Sequence, residues 1–134
     1  EWAALAAATG VTLAADESLA ERELACELAR QGTGLAIKLA TVGGPRAALA
    51  LAQAARGPVT FGSSYETGIG IAAALHVACA LAQAPLACGL ATRRLLEAEL
   101  ATGLPEGPEL ELPAGPGLGV ELDPEAVARY RLDR

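Results

Sequence analysis

Apolar and polar positions along the chain follow two different periods. Short runs of five or six mostly apolar residues, at 11–16, 35–40, 59–64 and 86–90, read as β-strands. The first three begin 24 residues apart, and the fourth follows at nearly the same interval. Helical spacing fills the gaps between them. In the first gap Ser18 and Glu21 form a candidate capping box, Leu24 and Leu28 share a face, and Gly32 is a candidate stop. The second gap opens on Gly43-Gly44 with Pro45 at the first helical position, runs through Leu49 and Leu51, and ends at Gly57-Pro58. The third helix is expected from Thr67 or Gly68 to about Ala82, before Pro85, and a fourth over residues 93–102, ended by Gly103. Residues 2–8 read as the end of an earlier helix stopped by Gly10. Past residue 104 proline and glycine are dense. Leu110, Leu112, Leu118 and Val120 alternate there, which predicts an ordered connector, with a short strand at 119–122 and a helix at 124–130.

Strand, helix, strand, helix at this interval predicts βαβ units and a parallel sheet covered on both faces. An open doubly wound sheet and a (β/α)8 barrel both fit. A whole barrel needs about 250 residues, so four units make half of one. Asp16, Lys38, Ser63 and Ser64 recur at the C-terminal ends of the strands, where barrels carry their chemistry, and no GxGxxG follows the first strand. The expected fold is therefore α/β, half of a (β/α)8 TIM barrel over residues 1–103, followed by a C-terminal segment over 104–134. The chain starts at Glu1, without Met and inside a helical pattern, as a piece of a longer protein would. Half a barrel leaves the strands at 11–16 and 86–90 as open edges, so the 134 residues alone are expected to be inactive and prone to pair, as a homo-oligomer or an aggregate.

Composition narrows the function. Ten Lys and Arg stand against 16 Asp and Glu, the formal net charge is −6, and aromatics make up 3%. Neither a phosphate-neutralising stripe nor a base-stacking platform is available, which excludes nucleic acid as a partner. The longest apolar run, residues 68–82, is broken by His76 and too short to span a bilayer, so no membrane partner is expected. No basic segment precedes an apolar stretch as in a signal peptide. Three cysteines without a CxxC suit a reducing cytoplasm. Cys26 and Cys79 are expected as small core residues, Cys88 as packing, and His76 as a satisfied helix residue.

Asp16 closes an apolar strand and is followed by Glu17 and Ser18. It suits a hard cation such as Mg²⁺, or simply the N-terminus of the next helix. Lys38 stands in Leu35-Ala36-Ile37-Lys38-Leu39-Ala40, where a buried ammonium needs a partner or a task, unless the strand is an edge and the lysine reaches water. Lys38 has the side-chain parity of Asp16, which predicts one shared cleft. The turn Gly62-Ser63-Ser64-Tyr65-Glu66-Thr67-Gly68 offers backbone N–H groups to a substrate carboxylate, or is an ordinary strand-to-helix turn capped by Thr67. No Gly-x-Ser-x-Gly elbow is present.

These residues, in this order, resemble the enolase superfamily and its muconate-lactonizing-enzyme subgroup. Ala15-Asp16-Glu17-Ser18-Leu19 is similar to the metal motif of the fifth barrel strand. Ile37-Lys38-Leu39 with Val42-Gly43-Gly44 is similar to the sixth-strand lysine and its glycine turn. Residues 63–70 resemble the seventh-strand end, and Gly115-Pro116-Gly117-Leu118-Gly119-Val120 the segment that returns to a capping domain. Ser63-Ser64 and Ala87-Cys88-Gly89-Leu90-Ala91-Thr92 are most similar to the o-succinylbenzoate synthase branch, lyases of menaquinone biosynthesis. Muconate cycloisomerases and N-acylamino acid racemases share most of the other motifs. The resemblance implies strands five to eight of the barrel and a Mg²⁺ (or Mn²⁺) cofactor. It also implies a small-molecule carboxylate substrate and syn-dehydration of a succinyl-hydroxycyclohexadiene carboxylate. Asp16 becomes one of three metal ligands, Glu17 its neighbour behind the metal, and Lys38 the catalytic lysine, electrostatic in the synthase and a base in racemases. Ser63, Ser64 and Glu66 border the substrate. The family's second-strand Lys-x-Lys, third-strand Asp and fourth-strand Glu are absent from these residues, and a non-catalytic βα-repeat module remains a separate reading.

Overall fold

The computed structural model describes residues 2–132, so Glu1, Asp133 and Arg134, at the ends of the two expected segments, lie outside the described residues. Helix α1 (Trp2–Thr9) leads into strand β1 (Ala14–Ala15), helix α2 (Arg22–Gln31), strand β2 (Gly34–Lys38), a short helix α3 (Leu39–Val42) and helix α4 (Pro45–Ala54). Strand β3 (Val59–Gly62) and helix α5 (Gly68–Cys79) follow. The chain closes with β4 (Ala101–Thr102), β5 (Glu121–Leu122) and α6 (Pro124–Tyr130). Strands β1, β2 and β3 form a parallel sheet in that order. The fourth apolar run lies alongside β3: Leu86 and Gly89 donate their N–H groups to Val59 and Phe61 carbonyls, and Gly89 bridges Gly62 in parallel.

The 24-residue interval is the true register between β2 and β3, where Leu35 faces Val59. Between β1 and β2 the offset is 20, since Ala15 faces Leu35. Each interval holds a four-residue turn and a ten-residue helix, so the difference lies in the strand and loop residues around them.

Burial splits the sheet by parity. Leu35, Ile37 and Phe61 are fully buried under α2, α4 and α5, which pack on one another in sequence order. Ala36, Lys38, Thr60 and Gly62 occupy the opposite face and are half-buried. All three crossover helices thus cover one face, the layering of a barrel wall rather than of a doubly wound sheet. α2 is amphipathic, burying Ala25, Leu28 and Ala29, and ends in Gly32 at φ +84 with Thr33 N–H returning to the Leu28 carbonyl. α5 is apolar nearly all round and buries Ile71, Ala72, Ala74, Leu75, Val77 and Ala78.

Several expectations fail for physical reasons. The Ser18–Glu21 capping box does not form. Burial of Leu19, 1% exposed, pulls residues 17–20 into a 3-10 turn, and α2 starts at Arg22 without a side-chain cap. The third helix ends at Cys79 rather than Ala82. The helix expected over 93–102 is a 3-10 turn (Thr92–Leu95) followed by extended chain, with Ala101 paired to Leu122. Here tertiary contacts override local propensity, because Arg93 and Glu99 are both held by distant elements. Cys79 and Cys88 are exposed free thiols, not core residues. His76 is satisfied by the Leu118 carbonyl at 3.2 Å and ties α5 to the returning segment.

Gly57 shows how tightly β2 and β3 are joined to the preceding loop. A Cβ there would strike the Gly32 carbonyl oxygen and lie 2.6 Å from the Thr33 carbonyl oxygen, both backbone atoms that cannot step aside. Gly57→Ala is therefore expected to cost about 1–3 kcal/mol in urea unfolding. Gly89→Ala, where a Cβ meets nothing within 4 Å, should stay within about 0.5 kcal/mol.

Candidate functional site

Lys38 is the last residue of β2, and Asp16 follows the last residue of β1. Adjacent parallel strands bring these two C-terminal ends side by side, and the parity of the sheet turns both side chains away from the helices. The Lys38 ammonium donates to Asp16 Oδ2 at 2.8 Å and lies 2.7 Å from Oδ1. It also donates to Glu17 Oε1 at 3.3 Å. The two side chains share one face and meet there, as their parity in the sequence predicts. Lys38 is the only lysine in the chain, and its side chain is 21% exposed against 37% for Asp16 and 87% for Glu17.

The two oxygens of Asp16 differ. Oδ2 is hydrogen-bonded, whereas Oδ1 is buried and accepts no directed hydrogen bond although the ammonium is close. Coulomb attraction from an off-axis cation is what Oδ1 receives. The hydrogen bond to Asp16, and less strongly the contact with Glu17, raises the Lys38 pKa above 10.5 against the opposing effect of burial. The Glu17 pKa is lowered from 4.5, first by its own backbone N–H and then by Lys38.

The other predicted residues lie on the next strand. Ser63 is buried, and its hydroxyl contacts the Gly89 carbonyl at 3.1 Å and the Thr92 hydroxyl at 2.6 Å, joining the end of β3 to the fourth run. Lys38 faces Gly62 in register, so the alternation that continues from β3 carries Ser64, not Ser63, onto the lysine's face. Ser64 is exposed and its N–H meets Glu66 Oε2 at 3.4 Å.

The N-terminus of α5 does not wait for a substrate anion. Both Glu99 carboxylate oxygens accept from Gly68 N–H, at 2.8 and 2.9 Å, and Oε1 also accepts from Leu100 N–H. Thr67 makes no side-chain cap. Glu99 thus occupies the position that the sequence offered to a ligand carboxylate or to Thr67. Arg93, 4.0 Å from Glu99, donates to the Pro105 carbonyl and to Glu106 and holds the segment in place. Glu99 lies 31 residues from its partner, beyond any local spacing rule.

A cavity of about 700 Å³ lies elsewhere, lined by Leu75, Cys79, Cys88, Leu90, Arg93 and Leu110 among others, without Asp16 or Lys38. The ion pair lies at the strand ends, whereas the cavity lies against α5. For a divalent cation, Asp16 and Glu17 offer hard oxygen donors, and the buried, undirected Oδ1 fits a ligand atom. Among the described residues no group of three or more His, Cys, Asp or Glu could hold a metal, so these residues supply part of a ligand set.

Residues 1–126 match the family described as enolase C-terminal domain-like. The chain is 45% identical over 92 residues to an o-succinylbenzoate synthase of Thermobifida fusca, covering 67% of this chain and 29% of that protein. It is 37% identical over 133 residues to a chloromuconate cycloisomerase of Pseudomonas putida, covering 94% and 36% respectively. Among solved structures, muconate lactonizing enzyme from Pseudomonas putida superposes with a TM-score of 0.84 at 34% identity, over 95% of this chain and 37% of that one. The chain spans about a third of the length of these relatives.

Two outcomes test the site. With lysine labelled at the ε-carbon, its single signal should titrate above pH 10.5, and Asp16→Asn should move the midpoint back toward 10.5. Because the folded value is the higher one, this contribution to stability is complete below 10.5 and disappears as pH rises through the folded pKa. Glu99→Ala should cost about 1–2 kcal/mol and speed amide exchange at Gly68, since the first turn of α5 loses its acceptor.

Proposed function

Since this chain belongs to the enolase superfamily, in its muconate-lactonizing-enzyme subgroup, we propose that it carries strands five to eight of the barrel of an o-succinylbenzoate synthase. In this reading residues 1–103 are barrel wall, and residues 104–134 return toward a capping domain. The reaction is the loss of water from a succinyl-hydroxycyclohexadiene carboxylate. The observation that carries the proposal is the Asp16–Lys38 pair at adjacent strand ends, 2.8 Å apart on the open face of the sheet.

Asp16 would hold Mg²⁺ (or Mn²⁺) together with carboxylates from strands outside these residues, and Glu17 would support it from the side. When bound, the ion supplies positive charge opposite the substrate carboxylate. Lys38, placed at the strand end beside Asp16 and Glu17, would act as a fixed cation. It faces the oxygens on which negative charge grows as the neighbouring C–H proton leaves. A second lysine, on a strand outside these residues, takes that proton and returns it to the departing hydroxyl. Glu66 and Ser64 border the substrate. Ser63 acts through its hydrogen bonds to Gly89 and Thr92, which set the spacing of the last two strand ends.

The 45% identity to the o-succinylbenzoate synthase of Thermobifida fusca supports the dehydratase reading. A cycloisomerase is the second reading, favoured by the 94% of this chain that aligns with the Pseudomonas putida chloromuconate cycloisomerase. Product analysis separates the two: the complete gene product, with Mg²⁺, is offered the cyclohexadiene carboxylate, muconate and an N-acylamino acid. Dehydration should dominate. Asp16→Asn should bring turnover to background, and Lys38→Ala should lower it on the order of 10²-fold. Turnover of muconate alone would overturn the synthase assignment.

A further inference from the structure

We propose that the Lys38 ammonium stands in for the divalent cation on Asp16, so that the ion pair and the bound metal exclude each other. The inference rests on Asp16 being the metal ligand. It comes from the way the ammonium straddles the carboxylate, 2.7 Å from Oδ1 and 2.8 Å from Oδ2. A single hydrogen bond to Oδ2 would leave Oδ1 free toward the cleft. Instead the nitrogen sits across both oxygens, and Oδ1, buried and without a directed donor, faces the same positive centre. Mg²⁺ binds carboxylate oxygen at about 2.0–2.1 Å. An ion approaching Oδ1 from the side the ammonium occupies would meet it, and the two positive charges compete for the same carboxylate.

The surroundings provide for the exchange. The lysine stem passes over Gly62, where a Cβ would meet Lys38 Cγ at 3.5 Å and Cε at 3.6 Å, so the missing side chain leaves the stem room to swing. Glu17 Oε1, already 3.3 Å from the ammonium and on an exposed side chain, is the carboxylate that receives it when Asp16 is taken. The pair Asp16-Glu17 then has divided duties: one carboxylate for the metal, the next for the displaced lysine. Metal arrival releases Lys38 into the cleft, coupling assembly of the ligand set to placement of the substrate-facing cation.

The test uses Mn²⁺ as probe on the complete gene product, with free ion read by electron paramagnetic resonance and folding checked by circular dichroism. Lys38→Met, which keeps the apolar stem, should bind Mn²⁺ on the order of tenfold more tightly than the parent chain, through removal of the competing charge. Lys38→Ala gives the same direction if the longer side chain disturbs packing. Asp16→Asn in the Lys38→Met background should remove the gain. In the parent protein labelled at its lysine ε-carbons, Mg²⁺ should shift the signal that Lys38→Met removes, and Glu17→Gln should weaken metal binding by leaving the displaced ammonium without a partner. Unchanged affinity in both lysine variants, with binding lost on Asp16→Asn, overturns the exclusion and leaves the metal reading standing. Binding at undiminished affinity in Asp16→Asn overturns the metal reading itself, and the exclusion with it. Lack of Mn²⁺ binding in Lys38→Met overturns the exclusion as well.

Discussion

One-sided burial of the parallel sheet is the constraint on which the rest depends. Because α2, α4 and α5 all cross on the same side, alternate residues of each strand have fixed destinations. Leu35, Ile37 and Phe61 go to the helix layer and are fully buried. Ala36, Lys38, Thr60 and Gly62 go to the other face, which can carry charge. A one-residue slip in β2 would drive Lys38 among the helices and expel Ile37. The register with β3 forbids this, since Ile37 pairs with Phe61 and Lys38 with Gly62.

That parity could be read from the sequence, and so could most of what depends on it. The apolar runs, the helix opening on Pro45, the stop at Gly32 and the closing strand and helix at 121–130 all carry local signals strong enough to survive folding. The meeting of Asp16 with Lys38 followed from two positions and a period of two. The first strand was harder: its expected six residues shrink to Ala14–Ala15, since Val11 is exposed and has no neighbour to pair with among the described residues.

What the sequence concealed is long-range. Residues 93–102 carry helical spacing, yet their two most consequential side chains serve other elements. Glu99 closes the first turn of α5, and Arg93 fastens the proline-rich return at Pro105 and Glu106. A carboxylate that caps a helix 31 residues away leaves no trace in local spacing. Likewise the Ser63 hydroxyl, read as facing substrate, spends its hydrogen bonds on Gly89 and Thr92. Sequence pattern reports which face a side chain joins, and the partner it meets there depends on segments that arrive from elsewhere.

The solitary lysine gives the molecule an unusual chemical address. Every other side-chain cation in the chain besides His76 is a guanidinium, which resists acylating and aldehyde reagents at neutral pH. Within these 134 residues amine-directed reagents have one side-chain target, and Asp16 and Glu17 hold its proton, which slows attack because only the free amine is nucleophilic. Acylation there would erase the charge and leave two neighbouring carboxylates facing each other without a counterion. Slow modification of Lys38 by such reagents would report how firmly the two carboxylates hold the ammonium.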